Sequence, residues 1–138
     1  MNKTLTKEEI QLLERTKSEK AVEYFRNKSN IGKIEEPNVC MEFTGPCGES
    51  MKLYLKIKKG CIEDVKFQYK GCSGLACCGS ALCKMIKGKT VQEAKKVTQN
   101  DILDQLKTSP IEAFDCPLLA VRTLERAIKQ FEQTEPSH

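Results

Sequence analysis

The sequence predicts an α+β fold, in which a small antiparallel sheet of about three strands packs against several helices. Two observations carry this prediction. Between residues 39 and 71 apolar side chains alternate with polar ones, which is the period of a strand, and after Gly71 they recur at helical spacing. The strands follow one another directly, without strand–helix–strand alternation, which is typical of an antiparallel sheet rather than a parallel one.

The first helical segment is predicted over residues 7–27. Thr6 followed by Glu9 is the signature of a capping box, which favours a helix start at this point. Residues 16–20, in the middle of the segment, are polar, so we expect two pieces: a loose leader and then a packed turn. The apolar residues of that packed turn are Val22, Tyr24 and Phe25.

Three strands are predicted over residues 39–45, 50–60 and 61–71. In the second strand the apolar residues share one face and the lysines lie mainly on the other, as in a half-buried strand. The short link at residues 58–60 favours a hairpin between the second and third strands. The apolar face comprises Met51, Leu53, Leu55 and Ile57 in the second strand, and Val65, Phe67 and Tyr69 in the third.

Four helical segments are predicted after the strands. Thr90 with Glu93, and Thr98 with Asp101, are capping signatures of two short helices. Pro117 is favoured at the first position of the last helix. The apolar faces comprise Leu75, Cys78, Gly79, Leu82 and Ile86 in the first of these helices, and Val121, Leu124, Ile128 and Phe131 in the last.

The composition excludes several classes of partner. The 138 residues carry a formal net charge of +4, with lysine and glutamate mixed along the chain, three Tyr, five Phe and no Trp. A nucleic-acid-binding face needs clustered basic residues, often with stacking aromatics, so we expect no nucleic-acid partner. The amino terminus has no apolar signal core and no apolar run approaches ~18 residues, so we expect neither secretion nor a membrane partner. These features predict a cytoplasmic domain.

The chain has eight cysteines and no C-x-x-C pair. Without a signal peptide they indicate a reducing compartment, where thiols serve metals or catalysis more often than disulfides. Free cysteine is among the most buried residue types, so we expect Cys40, Cys61, Cys78 and Cys83 to pack in the core. Cys77 falls on the polar side of its predicted helix, which predicts an exposed spare thiol.

The other three cysteines lie at junctions between predicted elements: Cys47 in a Gly/Pro turn, and Cys72 and Cys116 at helix starts. The unpaired N–H groups of a helix start favour a thiolate, so we expect lowered pKa values for Cys72 and Cys116. Glu49 lies near Cys47, and Asp115 precedes Cys116. Three thiolates with a carboxylate could bind zinc or an iron–sulfur cluster. Alternatively, Glu49 is a solvated turn residue and Asp115 stabilises a helix start.

Several stretches together resemble a known family: "VEYFRNKSNIGKI", "GPCGESMKLYLKI", "IEDVKFQYKGC", "IKGKTVQEA" and "DCPLLAVRTLERAI". They are similar to the U-type iron–sulfur cluster assembly scaffolds, which comprise IscU and the amino-terminal domain of NifU. The resemblance covers roughly residues 20–131. It implies a leader at residues 1–20, partly helical and outside the resemblance, a scaffold domain at residues 21–133 and a polar tail at residues 134–138.

The resemblance implies that Cys47, Cys72 and Cys116 are the cluster ligands. Glu49 falls where the family usually has aspartate, and Asp115 where many members have histidine. The only histidine, His138, lies at the end of the chain and cannot replace it. The implied cargo is an iron–sulfur cluster, expected as [2Fe-2S], with zinc as an alternative in the isolated protein. A scaffold must release its cluster, and a carboxylate in place of a fourth thiolate supplies an exchangeable ligand. Which carboxylate does so stays open.

The family's role also implies partners. A cysteine desulfurase would donate sulfur as a persulfide, with Cys116 and Cys47 as candidate acceptors, and apo iron–sulfur proteins would receive the cluster. The scaffold would be a monomer or a cluster-bridged homodimer, and a carrier rather than an enzyme. The family's chaperone-recognition stretch is replaced here by "SPIEAFDC", with Ala113 at its lysine position, which argues against a dedicated Hsp70-type cochaperone.

Three alternatives remain. A zinc-bound sulfurtransfer partner resembling the SufU branch would use the same thiols, although that branch usually carries an insertion between its second and third ligand regions. Here only 43 residues separate Cys72 from Cys116. A small thiol or redox enzyme would lack both a C-x-x-C motif and a usable histidine base. A plain protein-interaction module would leave the three junction cysteines unexplained.

Overall fold

The computed structural model describes residues 4–110 and 114–134. Within them, three strands form one antiparallel sheet in the order β1–β2–β3 and there are also six helices, of which the third and the sixth pack against the sheet, so the predicted α+β class is confirmed. The strands are β1 (Val39–Thr44), β2 (Ser50–Lys58) and β3 (Cys61–Lys70). The helices are α1 (Lys7–Thr16), α2 (Glu19–Arg26), α3 (Ser73–Ile86), α4 (Val91–Ala94), α5 (Gln99–Gln105) and α6 (Cys116–Thr134).

One face of the sheet builds the core. β1 pairs with β2 through Met41 opposite Leu53, and β2 pairs with β3 through Leu53 opposite Phe67, so apolar side chains form rows across the sheet. Leu53 and Phe67 are fully buried. The predicted hairpin is confirmed, and Lys59 and Gly60 at its turn both have positive φ, at 54° and 77°. Two such residues are typical of a tight two-residue hairpin turn.

Two of the cysteines predicted to be buried are exposed. Cys40 lies opposite Tyr54 on the other face of the sheet, one residue out of phase with the core-facing residues of β1. Cys61 begins β3 and is also exposed. A register shift leaves Glu63 without a partner in β2, so Ile62 rather than Cys61 faces the core. The buried predictions for Cys40 and Cys61 are therefore wrong.

Helix α3 runs through the middle of the domain and is buried on nearly every side. The ring of Phe67 lies 2.4 Å from the position that a β-carbon on Gly79 would take, so this glycine allows α3 to approach β3. Cys78 and Cys83 are buried, as predicted. Cys77 is also fully buried, with its Sγ 3.2 Å from the carbonyl of Gly74, so its predicted exposure is wrong.

The amino-terminal segment consists of two helices, as predicted, but its first part is not loose. α1 ends at Thr16 and is capped by Lys17, whose φ is 56°, and the Ser18 side chain caps α2. Leu12 of α1 is 1% exposed within the main hydrophobic cluster. An ion pair of 2.7 Å between Glu9 and Arg26 joins α1 to α2, and it lowers the pKa of Glu9 to about 2.

Helix α6 packs against the sheet and against α3. Its stripe of Val121, Leu124 and Ile128 is buried and Phe131 is partly buried, as predicted. Pro117 is the second helical residue instead of the first, because the carbonyl of Asp115 already accepts the first helical hydrogen bond, from Leu119 N–H at 2.9 Å.

Both capping boxes predicted for the short helices are present in α4 and α5. In the part of the chain that the structure describes, no helix is both long and apolar enough to cross a membrane. Ala113, at the position of the family's chaperone-recognition lysine, and His138 lie outside the described residues.

Candidate metal centre

The turn between β1 and β2 places two of the predicted site residues. Gly45 accepts a hydrogen bond from Gly48 N–H at 3.0 Å, with Pro46 and Cys47 as the central residues of the turn. Gly48 has a φ of 90°, a conformation that favours glycine, and proline suits the first central position. Cys47 is therefore exposed at the tip of a tight turn, and Glu49 lies at its base, just before β2.

The other two thiols lie at helix starts. Cys72 is the residue immediately before α3, and its side chain makes no capping hydrogen bond to the helix. Cys116 is the first residue of α6 and is 6% exposed. α3 and α6 pack against each other, and their starts lie at the same end of the domain, since the two sulfurs are 3.7 Å apart.

Three side chains from these elements converge. Cys72 Sγ lies 3.7 Å from Cys116 Sγ, and Glu49 Oε1 lies 3.7 Å from each of the two sulfurs. Among the described residues, Glu49, Cys72 and Cys116 are the one group of three metal-capable side chains, with donor atoms within 4.8 Å of one another. Cys47 and Asp115 are outside this group.

A cavity of about 400 Å³ joins the group to the remaining predicted residues. Cys47 and Asp115 both line it, so all three predicted thiols and both carboxylates face one cavity. Asp115 is exposed. The lining also includes Arg15, Phe43, Leu119 and Arg122, which the sequence did not suggest as site residues.

The two adjacent thiols differ in acidity. The hydrogen bond from Cys116 lowers the pKa of Cys72 to about 6, helped by the backbone N–H groups of Leu75 and Gly74. The same contact with Cys72, together with burial, raises the pKa of Cys116. The prediction of a lowered pKa is therefore supported for Cys72 and wrong for Cys116, because only the less buried member of the pair gives up its proton readily.

Comparison with known proteins identifies the family. Residues 16–137 match the family model described as the NifU-like N terminal domain. The chain belongs to this family.

Relatives of this NifU-like domain agree with the assignment. Iron-sulfur cluster assembly scaffold protein IscU 1 of Archaeoglobus fulgidus is 37% identical over 115 residues, which are 83% of this chain and 75% of that protein. The crystal structure of a candidate iron-sulfur cluster assembly scaffold for the SUF system, from Fervidobacterium islandicum, has a TM-score of 0.68. It is 28% identical, and the match covers 80% of this chain and 95% of that one.

The fold is also found in a more distant protein. The N-terminal part of a NifU-like protein from Brucella abortus superposes with a TM-score of 0.71 at 17% identity, covering 90% of this chain and 99% of that one. At that identity the likeness concerns the fold alone.

Phe114 and Arg15 pack beside the centre of this NifU-like domain. The Phe114 ring lies against α3, 2.6 Å from the position that a β-carbon on Gly74 would take. The guanidinium of Arg15, in α1, stacks 4.6 Å from the centroid of that ring. The first helix therefore contacts the segment that leads into Cys116. Sequence reasoning missed these residues because their contacts exist only after α1, α3 and α6 have packed.

The donor set of this NifU-like domain fits a thiophilic metal. Two thiols and a carboxylate are already adjacent, and Cys47 supplies a third thiol from the flank of the same cavity. Sulfur donors favour zinc and iron–sulfur clusters over magnesium or calcium. Cys72, with a pKa of about 6, offers a thiolate near neutral pH, whereas Cys116 must lose its proton when it binds a metal.

Proposed function

We propose that this protein is a scaffold on which an iron–sulfur cluster, expected as [2Fe-2S], is assembled and from which it passes to apo-proteins. The convergence of Glu49, Cys72 and Cys116 within 4.8 Å, beside Cys47 in the same cavity, carries the proposal. The scaffold relative in Archaeoglobus fulgidus supports it. In this assignment the cluster is cargo, and the protein is a carrier rather than an enzyme.

The three thiols would supply most of the binding to iron. Cys72 and Cys116 come from the ends of packed helices, so their positions are fixed by the core. Cys47 lies on a surface turn and is exposed. We expect Cys47 to adjust when iron binds, because it is the thiol that lies outside the preformed group.

Sulfur would arrive as a persulfide from a cysteine desulfurase. A thiolate of the scaffold attacks the outer sulfur of the donor persulfide, and the donor cysteine leaves as a thiolate. An external thiol then attacks the scaffold persulfide and supplies the two electrons that release this sulfur as the sulfide of the cluster, while the external thiol is oxidised to a disulfide. Cys47 and Cys116 are the candidate acceptors. The exposure of Cys47 favours it as the first acceptor, since Cys116 is buried against Cys72.

The carboxylate explains how the cluster could leave. A fourth thiolate would bind iron as it does in electron carriers that keep their clusters, whereas a carboxylate is a harder and more exchangeable ligand. Glu49 is the better placed carboxylate, because its Oε1 lies 3.7 Å from both thiols, while Asp115 is outside the group. Asp115 is the second candidate donor, and it would have to change position to join the group.

Anaerobic reconstitution tests the proposal. The protein is purified anaerobically, and its iron, sulfide and zinc are quantified. The chain is then incubated with ferrous iron, cysteine, a cysteine desulfurase and dithiothreitol, which reduces the persulfide sulfur to sulfide, while its visible spectrum is recorded. We expect equal iron and sulfide, a [2Fe-2S] spectrum and transfer to an apo-ferredoxin. Cys72→Ser should lose the cluster and Cys40→Ser, on the outer face of the sheet, should retain it. A protein that binds stoichiometric zinc and forms no cluster would contradict the proposal.

A second candidate is a zinc-bound sulfurtransfer partner of a desulfurase. The structural likeness to the SUF-system scaffold candidate from Fervidobacterium islandicum, at 28% identity, supports this second function. The donors would be the same, and one thiol would leave zinc to accept sulfur. Stimulation of desulfurase turnover by the zinc form, without cluster formation, would select this function instead.

Further partners follow from the proposal. Apo iron–sulfur proteins would receive the cluster, and a cluster bound at the exposed end of one chain could bridge a homodimer. A cytoplasmic location suits the free thiols, which would be oxidised outside a reducing compartment.

A further inference from the structure

We infer that Gly71 is a positioning residue for Glu49, and that the missing side chain at position 71 lets the carboxylate reach the two thiols. A β-carbon at position 71 would lie 2.8 Å from both Cδ and Oε1 of Glu49, and 3.0 Å from its Cγ. The Glu49 side chain thus crosses the backbone just before Cys72, in the space that any other residue at position 71 would fill. The inference rests on the proposed role of Glu49 at this centre.

A larger residue at position 71 would clash with the side chain of Glu49. Non-bonded carbon atoms prefer separations of about 3.5–4.0 Å, so a methyl group at position 71 would push the end of the Glu49 side chain by roughly 0.5–1 Å. Oε1 now lies 3.7 Å from both sulfurs. The atoms that the methyl group would meet are at the far end of the half-buried Glu49 side chain, so this side chain would shift before the backbone did, and the position of Oε1 relative to the two sulfurs would change.

The backbone itself does not require glycine at this position. Gly48, in the preceding turn, has a φ of 90° and needs glycine for its conformation, whereas Gly71 is not among the residues with positive φ. Gly71 is also exposed, so a methyl group there meets Glu49 rather than the core. The requirement for glycine is one of space for a particular side chain.

This placement explains how a glutamate can serve the centre. The longer side chain starts at the base of the β1–β2 turn, passes over Gly71 and ends between the sulfurs of Cys72 and Cys116. Residues 49 and 71 therefore form a matched pair: the reach of the first depends on the absence of a side chain in the second.

A double-mutant cycle on the full metal-free chain tests the pair, with Co²⁺ as the probe. The proteins are wild type, Gly71→Ala, Glu49→Ala and the double variant, with Lys70→Ala as a control on the same exposed segment. Co²⁺ affinity and the visible absorption of bound Co²⁺ report the oxygen donor without any cluster assembly. We expect Gly71→Ala to weaken Co²⁺ binding by about 10–100-fold, close to the effect of Glu49→Ala. The double variant should bind no more weakly than Glu49→Ala alone, because the two changes remove the same donor.

The outcomes separate the possibilities. The inference would be overturned if Gly71→Ala had the Co²⁺ affinity and spectrum of the wild type. It would also be overturned if Gly71→Ala weakened Co²⁺ binding as much in the Glu49→Ala background as it does in the wild type. Thermal unfolding of the metal-free proteins checks the fold. If Gly71→Ala unfolds but the double variant is folded, the competition for space between residues 49 and 71 is supported. If Gly71→Ala and the double variant both unfold, glycine is needed at position 71 for the backbone itself, and the inference is wrong. A chain that passes this test but assembles no cluster would contradict the proposed function alone.

Discussion

The sulfur atoms of Cys72 and Cys116 lie 3.7 Å apart, although 43 residues separate them in the chain. They are close because α3 and α6 pack against each other with both helix starts at the same end of the domain. Because the two thiols share a hydrogen bond, Cys116 keeps its own proton and donates it to the thiolate of Cys72, so the two groups titrate as a pair.

The first prediction concerns the pH dependence of this pair. In the metal-free protein Cys72 should be alkylated by iodoacetamide with a midpoint near its pKa of about 6, and more slowly at lower pH, where the thiolate is protonated. Cys116→Ala removes the largest cause of the lowered pKa, so the midpoint should rise toward the ordinary 9.0. Peptide mapping by mass spectrometry distinguishes Cys72 from the exposed thiols. An unchanged midpoint in Cys116→Ala would contradict the pairing.

The same shift has a consequence for stability. The pKa of Cys72 is lower in the folded chain than the ordinary 9.0, so its ionisation favours the folded state by an amount that grows from about pH 6 to 9 and is fully present above pH 9. This contribution is lost as the pH falls through about 6. The raised pKa of Cys116 acts in the opposite direction at alkaline pH.

Much of the fold could be predicted from periodicity, and the errors have local causes. The strands and their apolar faces follow from alternation, but one unpaired residue in β3, Glu63, reverses the phase near Cys61. The run Val39–Cys40–Met41 is apolar throughout, so alternation alone does not say which residues face the core. In α3 the only charged residue is Lys84, and a helix with so few polar residues is buried all round, which is why Cys77 is not exposed.

The site was only partly accessible to sequence reasoning. The sequence singled out Cys47, Cys72 and Cys116 by their positions at junctions between elements, and the structure places all three at one cavity, because turns and helix starts lie at the ends of the packed layers. The contributions of Gly71, Phe114 and Arg15 depend on contacts between elements that are distant in sequence. Such contacts have no signature in spacing or composition.

A second prediction concerns the first helix, which was expected to be a loose leader. Leu12→Ala should lower the free energy of unfolding by about 2–5 kcal/mol, because Leu12 is 1% exposed and its loss leaves a cavity. Ile10→Ala is the matched control, since Ile10 is 43% exposed, and it should change stability by less than about 1 kcal/mol. Urea denaturation of the metal-free proteins measures both. Equal effects would mean that α1 does not pack as described.

A third prediction separates buried cysteines from exposed ones. Cys78→Ser places a hydroxyl in a fully buried position and should cost about 1–3 kcal/mol, whereas Cys40→Ser should stay within about 0.5 kcal/mol of wild type. Both variants should keep Co²⁺ binding, because neither thiol belongs to the group around Glu49. A folded Cys78→Ser variant that binds no Co²⁺ would move Cys78 from the core to the centre.

The last prediction concerns the release of the cluster. Glu49→Ala should slow transfer to an apo-ferredoxin by about tenfold or more while reducing assembly less, as stopped-flow or circular dichroism transfer assays can measure. The three thiols keep most of the binding to iron, whereas the carboxylate beside Cys72 and Cys116 supplies the exchangeable position.

Asp115→Ala is the matched control for that prediction, because Asp115 lines the same cavity but lies outside the converging group. It should transfer at nearly the wild-type rate. If Asp115→Ala alone changes the spectrum and the transfer rate, the role given to Glu49 is wrong. If neither variant has an effect, the fourth donor must be another thiol. Cys77 is then a poor candidate, because it is fully buried with its Sγ against the Gly74 carbonyl, and a thiol from a second copy of the chain becomes the better one.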